Sequence, residues 1–198
     1  MMKGSRSNSP FLPVLRWSSR TRSMVNWGII VISVLLCLLA LPTRFPGMEL
    51  AGISPNWLLI WVVAWSVKRS VFQGALAGLI LGLLQDGMSS PHPTHAWSLL
   101  VVGALTALLQ KQRYIQEDFI SIALIVFGMA AVAETVMAIQ FSIARLSNAG
   151  GGVFPSFSEI WTYHQRVMLA SALLSSLWAP VVYFPLDRWW EKMRTMED

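Results

Sequence analysis

The chain has 198 residues, of which 55% are hydrophobic and only 13% are charged. A soluble domain carries about 25% charged residues, so this composition excludes an ordinary soluble protein and indicates an integral membrane protein. The formal net charge of +5 comes from basic residues between the apolar runs, which predicts contacts with membrane lipids and not with nucleic acid.

The first 24 residues are polar and basic, and they predict a cytoplasmic tail (residues 1–24) that leads into a first membrane helix over Val25–Leu41. A signal peptide is not indicated, because the basic region is long and no small-residue cleavage site follows the apolar run. Cys37 lies inside this run, and as the single cysteine it cannot form an internal disulfide.

The second helix is predicted to begin at Ser54 and Pro55 and to end near Val67, since serine caps helices and proline is tolerated in the first turn. At intervals of four residues it carries three tryptophans, Trp57, Trp61 and Trp65. This aromatic stripe indicates packing inside a helix bundle or at the bilayer boundary, and a partner-binding surface is the alternative.

A third helix over Ser70–Gln85 has three glycines on one face, Gly74, Gly78 and Gly82. Glycines spaced by four leave one line of the helix without side chains, so that another backbone can approach closely. The stretch predicts a membrane hairpin with a fourth helix over Ala96–Gln110. Both helices have apolar stretches shorter than the usual span of about 20 residues, so a re-entrant hairpin is the alternative to two crossings.

The fifth helix is predicted over Phe119–Leu146, and it is long enough to cross the membrane with tilt. Ser147–Gln165 is predicted to be a loop at the membrane surface. The sixth helix is predicted over Arg166–Phe184, with Pro185 ending it. The remaining residues, 186–198, predict a short amphipathic cytoplasmic tail.

The fold class predicted from these elements is an all-α integral membrane protein, with six transmembrane helices in a compact bundle over residues 25–185 and both termini in the cytoplasm. The positive-inside rule supports this topology, because it places basic residues on the cytoplasmic side. Of the 15 Lys and Arg residues, the predicted outer segments hold only Arg44, Arg145 and Arg166.

Two carboxylates are candidate functional residues. Asp86 follows the glycine-rich helix, where the helix dipole disfavours an anion, so it needs a partner such as a backbone amide of the 87–95 turn or Arg166. Glu134 is the only charged side chain deep in a predicted span, which indicates a partner, a pore or a relay. We expect Asp86, Glu134 and His95 to form polar locks between helices or contacts with a partner.

Motifs of catalysis are absent from the sequence, which has no Walker loop, dinucleotide fingerprint, Cys-x-x-Cys, HExxH or GxSxG. We therefore expect neither an enzyme nor a bound cofactor. A metal site built from His92, His95 and His164 is conceivable, but turn residues beside proline are the commoner explanation.

One family shares this arrangement. Pro55-Asn56 at the opening of the second span, the glycine-rich third helix, Leu83-Leu84-Gln85-Asp86 and a Ser/Pro turn resemble the bacterial rod shape-determining protein family MreD. The chain length, the six spans and the basic termini agree with this resemblance, whose motifs cover residues 55–110. The family usually has a G-x-H-A arrangement after the turn, whereas Pro93-Thr94-His95-Ala96 keeps the His-Ala without the glycine.

The resemblance implies a non-enzymatic scaffold of the cell-elongation machinery in the inner membrane, linking peptidoglycan synthesis to cell shape. The partners it implies are MreC, with MreB, RodA and a penicillin-binding transpeptidase in the same complex. The alternative is a substrate-binding subunit of an energy-coupling-factor-type vitamin transporter, to which the family is similar in helix layout. That function would need a polar pocket, for which the candidates are Asp86, His92, His95, Glu134 and Trp161. An intramembrane enzyme is the third hypothesis, and the sequence offers it no nucleophile–base pair.

Overall fold

The computed structural model describes residues 19–43, 47–50, 52–89, 94–111, 118–147 and 156–195. Within these ranges the only β-structure is an isolated bridge between Leu50 and Ile53. The rest of the regular structure is helical, which confirms the all-α prediction. The helices are α1 Ser19–Ala40, α2 Trp57–Ser66, α3 Val71–Met88, α4 His95–Lys111, α5 Phe119–Ser147 and α6 Phe157–Arg194.

Side-chain caps fix where three of the helices begin. Asn56 caps α2, since its Oδ1 accepts a hydrogen bond of 3.0 Å from the Leu59 amide, so α2 begins after the predicted Ser54-Pro55 start. Ser70 and Gln73 form a reciprocal capping box at the start of α3. A capping box satisfies two backbone donors that the first turn leaves unpaired, so it defines a helix start sharply.

The short helix α2 is the centre of the fold, and it packs against each of the other five helices. Its residues from Leu58 to Ala64 are at most 3% exposed. Around it, α3 and α4 form one antiparallel hairpin and α5 and α6 form another. The first helix, α1, packs against α2 and leaves a lipid-facing side of large apolar residues exposed, among them Leu35, Leu36 and Leu39.

Four of the helices are long and apolar enough to cross a membrane: Arg20–Ala40, Val71–Met88, Phe119–Leu146 and Phe157–Met193. The two shorter apolar helices are α2, with 10 residues, and the 95–109 part of α4. Over the described residues the structure therefore gives six helices, of which four reach spanning length.

The sixth helix differs most from its prediction. It begins at Phe157, within the segment predicted to be a loop, because Ser156 and Glu159 form a second capping box. It then continues through Pro180 and Pro185 to Arg194, so the prediction that Pro185 ends the helix is wrong. Each proline removes one backbone N–H, and such a loss is tolerated in membrane helices whose neighbours hold them in place.

Smaller shifts occur at other boundaries. The first helix begins at Ser19, inside the stretch predicted to be a tail, and the part of that tail before residue 19 lies outside the described residues. The predicted start and end of α5 agree with the structure to within one residue.

Candidate functional site

The three glycines of α3 all face α4. A Cβ atom at Gly74 would meet the Gly103 carbonyl, one at Gly78 would meet the Leu99 carbonyl, and one at Gly82 would meet Ala96. Each of these contacts would fall below 3.0 Å, a distance that real Cβ atoms essentially never show. The backbones of α3 and α4 can approach each other this closely only because these three positions carry no side chain.

Asp86 joins the end of α3 to the start of α4. Its Oδ1 accepts a 2.7 Å hydrogen bond from the His95 amide and lies 2.8 Å from His95 Nδ1, while its Oδ2 accepts from the Ala96 amide at 3.4 Å. The carboxylate is thus near the C-terminus of its own helix but at the N-terminus of α4, where a negative charge is favourable. Of the two partners considered for Asp86, the structure shows the backbone amides, and it adds the His95 ring.

Glu134 joins α5 to α6. Its Oε2 lies 3.1 Å from Nδ1 of His164, and the side chains are only 17% and 9% exposed. Phe141 packs against the same imidazole, with 5.3 Å between ring centroids. A carboxylate at this depth is costly unless a polar partner holds it, and His164 provides that partner.

Gln140 connects the two hairpins. Its side-chain Nε2 donates to the Thr94 carbonyl at 3.1 Å, immediately before α4 begins. The Asp86–His95 pair, the Gln140–Thr94 bond and the Glu134–His164 pair therefore follow one another across α3, α4, α5 and α6. We call these three contacts the polar row.

The tryptophan stripe of α2 packs inside the bundle. Trp61 stacks on Trp65 with 5.5 Å between ring centroids, and Trp57 lies 5.8 Å from Trp178 of α6. The indole nitrogen of Trp61 donates a 2.9 Å hydrogen bond to Ser33 of α1. Through these contacts, the tryptophans of α2 hold α1 and α6 against it.

Comparison with known proteins decides the family. The family model for rod shape-determining protein MreD matches residues 21–186. The chain belongs to the MreD family. Searches of curated proteins and of solved structures find no significant match.

In this MreD-family chain, the described candidate residues for a small-molecule pocket do not converge on one site. Glu134, His164 and Trp161 line a cavity of about 20 Å³, which has room for a single water molecule. Asp86 and His95 are bonded to each other, and His92 lies outside the described residues. No group of three metal-ligating side chains occurs in the described part of the chain.

An ion pair that the sequence did not predict lies at the opposite end of the bundle from the polar row. Lys68, after α2, places its Nζ 2.7 Å from Asp187 and 3.1 Å from Glu191, both on α6. Lys68 and Asp187 are nearly buried, at 12% and 10% side-chain exposure. Lys68 is more than a hundred positions from both acids, and they meet because α2 and α6 lie side by side in the fold.

Proposed function

We propose that this MreD-family protein is a non-enzymatic membrane scaffold of the rod machinery, and that it links peptidoglycan synthesis to cell shape. The match to the MreD family over residues 21–186 carries the proposal, because that family determines rod shape. We further propose a multi-pass protein of the inner membrane with six crossings and both termini in the cytoplasm, as the distribution of basic residues favours.

The proposed partners are MreC, and through it MreB, RodA and a penicillin-binding transpeptidase. Large apolar side chains on α1, α3 and α6 are available to lipid or to the helices of such partners, and Leu36, Phe72 and Leu177 are each more than 60% exposed. A scaffold needs such outer faces together with a stable interior. The close contact of α3 with α4 at Gly74, Gly78 and Gly82, together with the polar row, provides that interior.

The polar groups favour a scaffold over the transporter alternative. Asp86 and Glu134 are each satisfied by a histidine of the neighbouring helix, so they hold helices together and are not directed into an open pocket. A ligand pocket usually encloses about 300–1,000 Å³ with a few convergent polar groups. The cavity beside Glu134 encloses only about 20 Å³. The larger cavity, of about 310 Å³ between α1, α2 and α6, has a mainly apolar lining that includes none of the polar candidates.

Depletion of the protein in rod-shaped cells tests the proposal. We expect the cells to become round while vitamin uptake continues, and we expect MreC or wall synthases to co-purify with the protein from detergent-solubilised membranes. Re-expression of the natural chain, and of the Gly128→Ala variant as a packing-neutral control, should restore the rods. Normal cell shape after depletion, or a stoichiometric vitamin-like ligand together with an ATPase module, would contradict a scaffold role.

A further inference from the structure

An apolar groove of about 310 Å³ lies between α1, α2 and α6. Trp57 and Trp61 of α2 form its floor, and its two walls belong to the 33–40 segment of α1 and the 181–186 segment of α6. The groove exists because α1 packs against α2, whereas it makes little contact with α6. The space between α1 and α6 is therefore left for something other than this part of the chain.

The dimensions of the groove suit one hydrocarbon chain. Its α1 wall, from Ser33 to Ala40, is about 10 Å long, so the mean cross-section of the groove is at most about 30 Å². A helix with its side chains is about 10–12 Å across and needs about 80 Å² or more. Leu36 and Val181, on the two walls, are 61% and 57% exposed, so the groove is open to lipid along one side. One extended lipid chain therefore fits between the walls, and a partner helix does not.

The groove lies at the depth of one leaflet. Under the orientation proposed above, the Lys68–Asp187 pair marks the cytoplasmic boundary of the bundle. Leu186, next to this pair, lines the groove at its shallow end. Trp57, eleven residues before Lys68, lines it about 16 Å deeper. Half of a hydrocarbon core is about 15 Å thick, so the groove covers the depth of an acyl chain in the cytoplasmic leaflet.

The α1 wall leads to a basic residue at the headgroup level. Ser33 is hydrogen-bonded to Trp61, so it lies about 10 Å deeper than Lys68. Arg22 precedes Ser33 by eleven residues, which is about three full turns, so both lie on the groove side of α1. Since α1 runs antiparallel to α2, Arg22 is about 6 Å outside the level of Lys68.

The floor and the α6 wall also lead to basic residues. Trp61 stacks on Trp65 with 5.5 Å between ring centroids, and the guanidinium of Arg69 lies 4.3 Å above the ring of Trp65. On α6, Lys192 follows Pro185 by seven residues, which is about two turns, so it lies on the groove side. Each of the three elements around the groove therefore carries one cation at its cytoplasmic end.

The nearby acidic residues do not cancel this charge. Asp187 and Glu191 both pair with Lys68, at 2.7 Å and 3.1 Å. The described helix α1 contains no acidic residue. The shallow end of the groove is therefore positively charged, which complements an anionic headgroup.

We propose that the groove binds one anionic phospholipid of the cytoplasmic leaflet. One acyl chain lies on the tryptophan floor between α1 and α6, and the phosphate lies at the level of Arg22, Arg69 and Lys192. Lipid chains are as apolar as the groove, so burial of the chain gives no preference over the bilayer, and the cations supply the selectivity. Each cation is expected to contribute about fivefold to the preference for an anionic lipid. Only the assignment to the cytoplasmic leaflet rests on the proposed orientation.

Photocrosslinking in vesicles tests the site. The purified full chain is reconstituted in phosphatidylcholine with a trace of phosphatidylglycerol that carries a diazirine in one acyl chain, and the labelled segments are mapped by mass spectrometry. We expect label on residues 33–40 and 181–186 that unlabelled phosphatidylglycerol displaces and additional phosphatidylcholine does not. Leu124, 69% exposed on α5, is the internal control, and its label should respond alike to both lipids.

Substitution of the cations tests the source of selectivity. Lys192→Gln alone should weaken displacement by phosphatidylglycerol about fivefold, and the triple variant with Arg22→Gln and Arg69→Gln should lower it about a hundredfold. Arg20→Gln is the matched control, because Arg20 lies two residues before Arg22 and so on the opposite side of α1. It should leave the label in the groove unchanged.

The other outcomes overturn the site. Equal displacement by both lipids would make the groove an ordinary lipid-facing surface. Label at Leu124 without label in the groove would show that the groove is closed or covered by protein. If circular dichroism shows that the triple variant does not fold, Lys192→Gln decides, and unchanged displacement would refute the role of the cations. Failure of the scaffold proposal would alter none of these results, because the purified chain is the only protein present.

Discussion

Gly78→Ala is the sharpest test of the interface between α3 and α4. A Cβ at Gly78 would overlap the Leu99 carbonyl, and because that group is backbone, no rotamer change can remove the overlap. Alanine is intrinsically better than glycine in a helix by about 1 kcal/mol, whereas overpacking costs about 1–3 kcal/mol. Moving α4 away would also loosen the contacts at Gly74 and Gly82, which places the cost at the upper end of that range. We expect a net loss of about 2 kcal/mol, or about thirtyfold in the ratio of folded to unfolded protein.

The measurement is unfolding of the purified chain in mixed micelles with increasing sodium dodecyl sulfate, followed by circular dichroism. Gly128→Ala is the matched control, because nothing lies within 4 Å of the Cβ it would add in the middle of α5. That control should be as stable as the natural chain or slightly more stable, through helix propensity alone. If Gly78→Ala unfolded at the same denaturant concentration as Gly128→Ala, the close backbone contact would not hold the hairpin together.

Three further substitutions are read out by the same unfolding assay. Asp86→Ala removes the acceptor at the start of α4 and should cost about 1–2 kcal/mol, while Asp86→Asn should recover part of that loss; equal losses would argue against capping. A double-mutant cycle with Glu134→Gln and His164→Gln should give a coupling of about 0.6 kcal/mol, and strictly additive losses would show that the pair contributes nothing. Lys68→Met leaves the nearly buried Asp187 unpaired and should cost about 3 kcal/mol, and adding Asp187→Asn should restore stability. A double variant no more stable than Lys68→Met would count against the ion pair.

Local spacing in the sequence was sufficient to predict the glycine face. Three glycines at intervals of four can lie only along one side of a helix, and the next helix in the chain is the nearest element for them to contact. The structure places α4 on that face. The existence of six helices likewise follows from apolar runs separated by charged or proline-rich segments.

The start and the end of α6 could not be predicted from the apolar pattern alone. The Ser156 to Glu159 spacing is the signature of a capping box, and it was the available signal for the earlier start of the helix. The rule that proline ends a helix holds best in water. There, water molecules can hydrogen-bond the backbone carbonyls that are left unpaired when a helix stops at Pro185. The helix α6 continues past Pro185, and Asp187 just after this proline pairs with Lys68, which follows α2.

The histidine partners of Asp86 and Glu134 could not be predicted, because they depend on how the helices of each hairpin are aligned. Glu134 and His164 are 30 positions apart, and they meet only when α5 and α6 pair in one register. A shift of the pairing by one helical turn, about 5.4 Å, would leave both groups without a partner at membrane depth. The pair therefore contributes to selecting the register of the α5–α6 hairpin, as Asp86 and His95 do for α3 and α4. Gln140 on α5 bonds to the Thr94 carbonyl next to His95, so it also fixes the position of α5 relative to the start of α4.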